Sequence, residues 1–200
     1  MKSIIEIKKD FQEHEMWINT LGKEGVKLVL DEIDLRSIVL DEEKYEQAYL
    51  ANCIFDARNL KGNSFYLTKL FSTSFKNCIL ENIDFTKADL SYVDFSNATL
   101  FDVKLNKCDC IETNFRNAHI ENANMQDSLF DSSDFRNATL SNVILSFSNF
   151  EEILVNGMTL NNVKGFDKII DISINITDFD NPIILKGEEA IYWLRNNALK

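Results

Sequence analysis

Four cysteines and two histidines are the residues best suited to metal, redox or nucleophilic chemistry. Cys108-Asp109-Cys110 is the pair close enough to suggest a metal site or a disulfide, with Cys53 and Cys78 more distant. All four, however, fall on a five-residue rhythm in which every fifth position from Leu30 to Leu160 is apolar. Cys110 occupies such a position, and Cys53, Cys78 and Cys108 each stand two residues before one. That second register otherwise holds small or apolar residues, so the thiols read as small core side chains. His14 and His119 supply no ligand spacing. The chain has no Gly-rich phosphate loop and no nucleophile elbow, and carboxylate pairs such as Glu42-Glu43 and Glu151-Glu152 read as solvated surface charge. No catalytic residue, cofactor-binding residue or metal ligand is therefore assigned, and the chain reads as a non-enzyme.

The rhythm itself holds for 27 consecutive positions: thirteen Leu, nine Phe, and Tyr45, Cys110, Ile120, Met125 and Val155. A period of five suits neither a helix nor a plain strand. It suits a chain that turns a corner every five residues and points one large side chain inward per side. The residue two before each centre is small in 18 of 27 cases, which gives a second inward register. Superimposed on the fives is a recurrence of twenty, seen in Phe75-Lys-Asn-Cys, Phe95-Ser-Asn-Ala, Phe115-Arg-Asn-Ala and Phe135-Arg-Asn-Ala. Stacked in twenties, the centres form four columns. One is nearly all Phe (Leu35, Phe55, Phe75, Phe95, Phe115, Phe135, Val155), and its neighbour is aliphatic from Leu40 to Leu160. A third runs from Tyr45 to Leu145 and a fourth from Leu30 through Leu50, Leu70, Leu90 and Cys110 to Phe130 and Phe150. Asn77, Asn97, Asn117 and Asn137 are expected to form one side-chain ladder, and Asn82, Asp102, Asn122, Asn142 and Asn162 another.

Ala88-Asp89-Leu90-Ser91-Tyr92 and Val93-Asp94-Phe95-Ser96-Asn97 resemble the pentapeptide-repeat motif Ala-(Asp/Asn)-Leu-x-x, and the resemblance covers about two thirds of the chain. It implies an all-β solenoid, a right-handed quadrilateral β-helix of about 6.5 coils of 20 residues, with short helical caps at one or both ends. The corresponding division is an N-terminal helical cap over 1–29, the repeat solenoid over 30–162, and a C-terminal strand and helix cap over 163–200. Glu43, Arg58 and Asn63 stand in the small inward register, which predicts a bulge or loop within 41–64 and leaves a Glu43–Arg58 pair open.

Both ends break the rhythm. Asp10-Phe-Gln-Glu13 resembles a capping box and starts a helix in this reading, with Phe11, His14, Ile18 and Leu21 on one side, Trp17 beside them, and Gly22 and Gly25 marking the stop. Such a helix would cover the first coil, since a stack of strands needs its open ends blocked, or would bind a partner. Near the C-terminus Ile170, Ile172, Ile174 and Ile176 alternate, as in a strand with one buried face. After a turn at Asp180-Asn181-Pro182, residues 187–197 read as a short helix, acidic first and basic later. Its residues Ile191, Trp193, Leu194 and Ala198 would cap the last coil or form a homodimer; the resemblance implies the second, because gyrase-protecting relatives dimerise at that end.

Two hundred residues suffice for one domain with a substantial core. No apolar run is long enough to span a membrane, and the N-terminus is too short in apolar residues for a secretion signal, so a cytoplasmic location is expected. The net charge of −11 argues against direct nucleic-acid binding. Within 31–162, 21 acidic and 11 basic residues leave −10, spread unevenly over the four sides. Outside the Leu50–Leu70–Leu90 column, Asp31, Glu32, Asp89, Asp109, Glu112, Asp131, Glu151 and Glu152 face a single Lys69, a net of −7. The side outside Leu60–Leu80–Leu100 carries −4, the Phe side is neutral and the remaining side is +1. Tyr49, Phe71, Tyr92, Ile111 and Leu129 also point outward on the most acidic side. The candidate partner-binding face is therefore Tyr49, Phe71, Asp89, Tyr92, Asp109, Ile111, Glu112 and Asp131.

The expected activity is that of a protein-interaction module presenting this face to a protein partner. The resemblance to Qnr-type and MfpA-type proteins implies a sharper alternative, a DNA mimic that binds DNA gyrase or topoisomerase IV and confers quinolone resistance. A rod of roughly 31 Å would stand in for DNA carrying about 18 phosphates. The unbroken five-residue phase leaves little room for the loops that Qnr-type proteins often carry.

Overall fold

The computed structural model describes residues 2–39, 44–178 and 180–198, and of 197–198 the backbone alone. From Val29 onward the chain winds into a four-sided parallel β-solenoid of about seven turns. Short strands β1 (Val29–Asp31) and β2 (Tyr49–Ala51) pair on one side. On the opposite side β3 (Asn59–Lys61), β4 (Ile79–Glu81), β5 (Thr99–Phe101), β6 (His119–Glu121) and β7 (Thr139–Ser141) stack. They are joined there by β9 (Thr159–Asn161) in an unbroken twenty-residue register, Leu60↔Leu80↔Leu100↔Ile120↔Leu140↔Leu160. Isolated bridges at the same interval link the coils on the other sides, as in Asp34↔Ile54↔Ser74↔Asp94↔Asn114↔Asp134. Every described centre of the five-residue rhythm is buried.

Local chemistry explains why five residues make one side. From Gln47 onward the residue two after each centre sits in the left-handed region, for example Asn77, Asn97, Asn117 and Asn137 at φ 57–58°. Asn and Asp tolerate that conformation best, and they fill many of these corners. The Asp or Asn before a centre acts next: Asp84, Asp94, Asn114 and Asp134 each accept from the backbone N–H two residues on, at 2.8–2.9 Å. These Asx turns bend the chain at the start of each corner. The small inward register then staples coils together. Thr73, Thr113, Ser128 and Cys108 donate to the carbonyls of Leu50, Leu90, Leu105 and Phe85, each 23 residues earlier, at 2.6–3.0 Å.

The core is ordered by its rings. Phe55, Phe75, Phe95, Phe115 and Phe135 stack with centroids 4.7–5.4 Å apart. Tyr45, Phe65 and Phe85 form a second stack at 4.6–5.1 Å, and edge contacts such as Phe65–Phe75 at 5.8 Å lock the two together. Offset stacks and edge contacts are the arrangements that the ring quadrupole favours. One expected side-chain ladder runs from Asp102 through Asn122 and Asn142 to Asn162, at 2.7–3.0 Å. The other contributes the Asn117–Asn97 bond at 3.1 Å. Where Asn137 continues upward, its amide occupies the space a Cβ would need at position 157, and Gly157 stands there.

The expected irregularity within 41–64 is absent from 44–64, where the coil geometry holds, and residues 41–43 lie outside the described residues. Arg58 fits because its stem follows the wall and its Nη1 donates to the carbonyls of Leu35 and Ile38, both at 2.7 Å. It thereby serves the carbonyl 23 residues back that a Ser or Thr would otherwise reach. Asn63 is buried in the same register. Glu43, the proposed partner of Arg58, is outside the described residues.

The N-terminal helix α1 spans Ile4–Asn19 and begins seven residues before the predicted start. Ser3, rather than Asp10, is its N-cap, in a reciprocal capping box with Glu6. Ile7, Phe11 and His14 are buried against the first coil, whereas Ile18 is half-buried and Leu21 is exposed, because the chain has already turned at Thr20. Phe11 meets Tyr45 edge-on at 5.5 Å. Leu28 N–H donates to His14 Nδ1 at 3.0 Å, and Nε2 lies 3.1 Å from Glu46 O, an arrangement that requires a neutral ring protonated on Nε2. Gly25, at φ 76°, lets the returning chain lie against Glu13 and Trp17, where any Cβ would strike their backbone.

At the other end β8 (Asn149–Leu154) runs round a corner, and a 3-10 turn at Phe166–Lys168 leads into β10 (Asp171–Asn175), parallel to β8. The predicted strict alternation of isoleucines fails here. Ile172 and Ile174 are buried, but so are Ser173 and Asn175, and Ile170 is exposed. A register shift between Ile172 and Ile174 accounts for this, as does burial of both faces of β10. β11 (Ile184–Lys186) pairs antiparallel with β10 and leads into α2 (Gly187–Trp193), followed by a single wide turn over Leu194–Ala198. Ala190 and Leu194 are buried, and Leu194 closes the last coil over Phe135, Phe150 and Phe166, leaving an apolar void of about 20 Å³. Ile191 and Trp193 are half-buried against the core, and Tyr192 is exposed. Ala198 has no described side chain.

Candidate partner-binding face

The side built on Leu30, Leu50, Leu70, Leu90, Cys110, Phe130 and Phe150 buries all seven centres. Its outward column before the centres is bridged in register as Tyr49↔Lys69↔Asp89↔Asp109↔Leu129↔Asn149. Asp89 and Asp109 therefore stand on adjacent coils, about 4.8 Å apart along the axis. Beyond the centres, the left-handed corners carry Tyr92, Glu112, Ser132 and Glu152 at φ 50–62°. Phe71 and Tyr92, 42% and 44% exposed, meet edge to face with centroids 5.0 Å apart, and Tyr49 is exposed to a similar degree. Ile111, Leu129, Asp89 and Asp131 are half-buried, and Asp109 and Glu112 are exposed. The eight predicted face residues thus share one side, with the aromatic group below and the acidic group above.

Among the described residues, acids on this side meet hydrogen-bond donors and no cations. Asp89 accepts from Ser91 N–H at 3.1 Å, Asp31 from the Asn52 amide at 2.9 Å, and Asp131 from the Ser132 hydroxyl at 3.1 Å. Among the described residues none of them has an ion-pair partner. On the Phe side the same backbone positions are neutralised: Asp34–Arg36 at 2.7 Å, Asp94–Lys76 at 3.2 Å and Asp134–Arg136 at 2.6 Å. Arg36, which donates to both carboxylate oxygens, holds Asp34 down to about 2. Asp84 pairs with Lys104 at 3.0 Å on the third side, and Glu81 with Lys61 at 2.6 Å on the fourth.

The cysteines that first suggested chemistry point inward, whereas His119 is exposed on β6. Cys53, Cys78, Cys108 and Cys110 are buried and free, and burial pushes the Cys53 and Cys78 thiols up to about 11. A thiol held in that state is a poor nucleophile and a poor ligand. Among the described residues no group of three or more His, Cys, Asp or Glu side chains is arranged to hold a metal ion, and no helix is long and apolar enough to cross a membrane. The Phe71–Tyr92 contact was missed in the sequence. The signal was available, since residues 21 apart lie on neighbouring coils one position round.

A family model agrees with the coil geometry. The family model for pentapeptide repeats matches residues 68–106 and 108–146 in eight copies. No curated protein matches the chain. Among solved structures, a pentapeptide repeat protein from the Arabidopsis thaliana thylakoid lumen is 26% identical, over 50% of this chain and 69% of its own, with a TM-score of 0.49. QnrB1, a plasmid-mediated fluoroquinolone resistance protein, is 18% identical over 72% of this chain and 86% of its own, with a TM-score of 0.45. Rfr23 from the cyanobacterium Cyanothece 51142 is 15% identical over 77% of this chain and 99% of its own, with a TM-score of 0.35. The solenoid continues in the same register on either side of the matched residues, at Leu50 and at Leu160. The match to pentapeptide repeats thus lies within residues 68–146, the middle of the solenoid.

Proposed function

We propose that this chain is a non-catalytic, cytoplasmic interaction module whose acidic and aromatic side docks a protein partner. The observation that carries this reading is the contrast in charge pairing. The coil gives every side the same outward positions, yet acids on this side stand unpaired beside the exposed Phe71–Tyr92 rings. Unneutralised acids next to aromatic anchors suit a partner that supplies cations to a desolvated contact. Affinity capture followed by identification of the bound protein tests it. The partner should be retained by an Arg36→Ala control and lost with Phe71→Glu or Tyr92→Glu. Retention by all three variants would reject this face.

A second reading is favoured by the arrangement of the acids. The sides to which the sequence gives −7 and −4 are opposite each other and are separated by sides of 0 and +1, a pattern of two acidic stripes. That arrangement supports a DNA mimic acting on DNA gyrase or topoisomerase IV, with quinolone protection as the readout. Purified protein that neither binds gyrase nor changes supercoiling or quinolone inhibition would exclude it. A homodimer through the C-terminal end, with Ile191 and Trp193 near the contact, belongs to this reading. Leu194 is already committed to the cap.

A further inference from the structure

The cap α1 rests on a small contact. Of its sixteen residues only Ile7, Phe11 and His14 are buried. The loop that follows, 20–25, is largely exposed and closes on itself, with Glu24 N–H donating to Thr20 Oγ1 at 3.0 Å. Leu21 and Gly22 turn the chain there at φ 55° and 80°. A helix held by few buried groups and joined through an exposed loop is a unit that can open without the rest. Within the contact, His14 is the buried polar side chain of α1, at 0% exposure. It joins three stretches of chain: α1 itself, Leu28 just before β1, and Glu46 in the first coil. The remaining polar ties lie around it, Val26 N–H to Glu13 O at 3.1 Å and Lys44 to Glu15 at 3.4 Å.

Both ring nitrogens are committed. Nε2 carries the proton that meets Glu46 O, so a second proton must go to Nδ1, which accepts from Leu28 N–H. Two donors would then face each other in a buried place, and the tie to Leu28 is lost. We propose that α1 is an acid-operated latch: protonation of His14 releases the helix from the first coil while the solenoid stays folded. The charges around the ring agree. Burial is the main influence and lowers its pKa; the Glu46 carbonyl and carboxylate raise it, and Lys27 and Lys44 lower it again. The net direction is down, so the docked helix favours the neutral ring. Its contribution is full above the free imidazole value of about 6.5, and below that the ratio of docked to released helix falls by up to about tenfold per pH unit. Release takes Phe11 away from Tyr45 and uncovers Leu28. Among the described residues β1 pairs with β2 alone, so the end left behind is an apolar core beside an unpaired strand edge. Acidification thus converts a closed end of the rod into one able to take a further contact.

The wild-type chain tests the latch when titrated from about pH 8 to about pH 5.2, a range that spans the imidazole value of about 6.5 and stays above the pI of about 4.7. Imidazole nitrogen resonances follow His14, with the exposed His119, the only other histidine, as reference. Amide hydrogen exchange, corrected for the intrinsic effect of pH, follows α1 and strands β4–β7 in the same sample. The expected result is one shared midpoint, below about 6.5, for His14 protonation and loss of α1 protection. Protection of α1 should fall at least tenfold and return at pH 8, while β4–β7 stay protected. His14→Gln, which keeps one acceptor and one donor but takes no proton, should lack the pH step. Constant α1 protection while His14 titrates would overturn the latch. So would loss of α1 only together with β4–β7, the behaviour of an ordinary core histidine, or the same pH step in His14→Gln.

Discussion

The Phe-column side and the acidic side share one backbone and carry similar numbers of charges, eight and nine, yet handle them in opposite ways. On the Phe side an acid before the centre is answered by a base two residues on, as in Asp34–Arg36 and Asp134–Arg136, or by one on a neighbouring coil, as in Asp94–Lys76. On the acidic side the position two residues on holds Ser91, Ile111, Asp131 or Glu151. The Asx turn needs only the first residue of each pair, so folding accounts for Asp89 and Asp94 equally. It does not account for the missing bases. Since the scaffold is satisfied on both sides, the difference between them is free to serve binding.

The largest expected effect lies beneath both sides and should not distinguish them. Phe95→Ala under the Phe side and Leu90→Ala under the acidic side each remove a fully buried centre. Urea denaturation should show losses of about 3–5 and 2–5 kcal/mol respectively. Native protein should also leave its four thiols unlabelled by a thiol reagent until it unfolds.

Surface charge should separate the two sides. Asp134→Asn breaks a pair whose side chains are only 17% and 14% exposed and which also engages Asp178, and should cost about 1–3 kcal/mol. A change within about 0.5 kcal/mol would erase the contrast. The N-terminal cap supplies a pH-dependent case. Burial lowers the pKa of His14, so the fold prefers the neutral ring that accepts from Leu28 N–H. Its contribution is complete above the unfolded value of about 6.5 and is lost as pH falls below that. His14→Gln should flatten that part of the stability–pH curve. Smallest of all, Asp109→Asn should shift stability by no more than about 0.5 kcal/mol, in either direction, because it breaks no ion pair.

Much of the solenoid was legible because its period is long, strict and chemically redundant. One apolar centre per five residues, repeated in four columns, admits few other shapes, and Phe75, Phe95 and Phe115 had to stack once twenty residues made a coil. The ends were harder to read because no repeat disciplines them. At Ser3 a second capping box outcompeted Asp10, and at β10 a register shift with burial on both faces spoiled a pattern that assumed one wet face. Arg58 looked like a defect because residue type alone does not show that a guanidinium can reach the same carbonyl as a hydroxyl. For the candidate face, column arithmetic placed all eight residues on one side. It could not show which acids find partners, since Lys76 reaches Asp94 through side-chain geometry and not through spacing.

The central claim is that the acidic side, and not the Phe side, contacts the partner. It is tested most directly by quantitative affinity capture with three proteins: wild type, Asp89→Asn/Asp109→Asn/Glu112→Gln, and Asp34→Asn/Asp94→Asn. The account predicts at least one identified partner recovered equally by wild type and the Phe-side variant, and at least tenfold less by the acidic-side variant, a difference of about 1.4 kcal/mol. Equal recovery by all three, or a loss confined to the Phe-side variant, would contradict it.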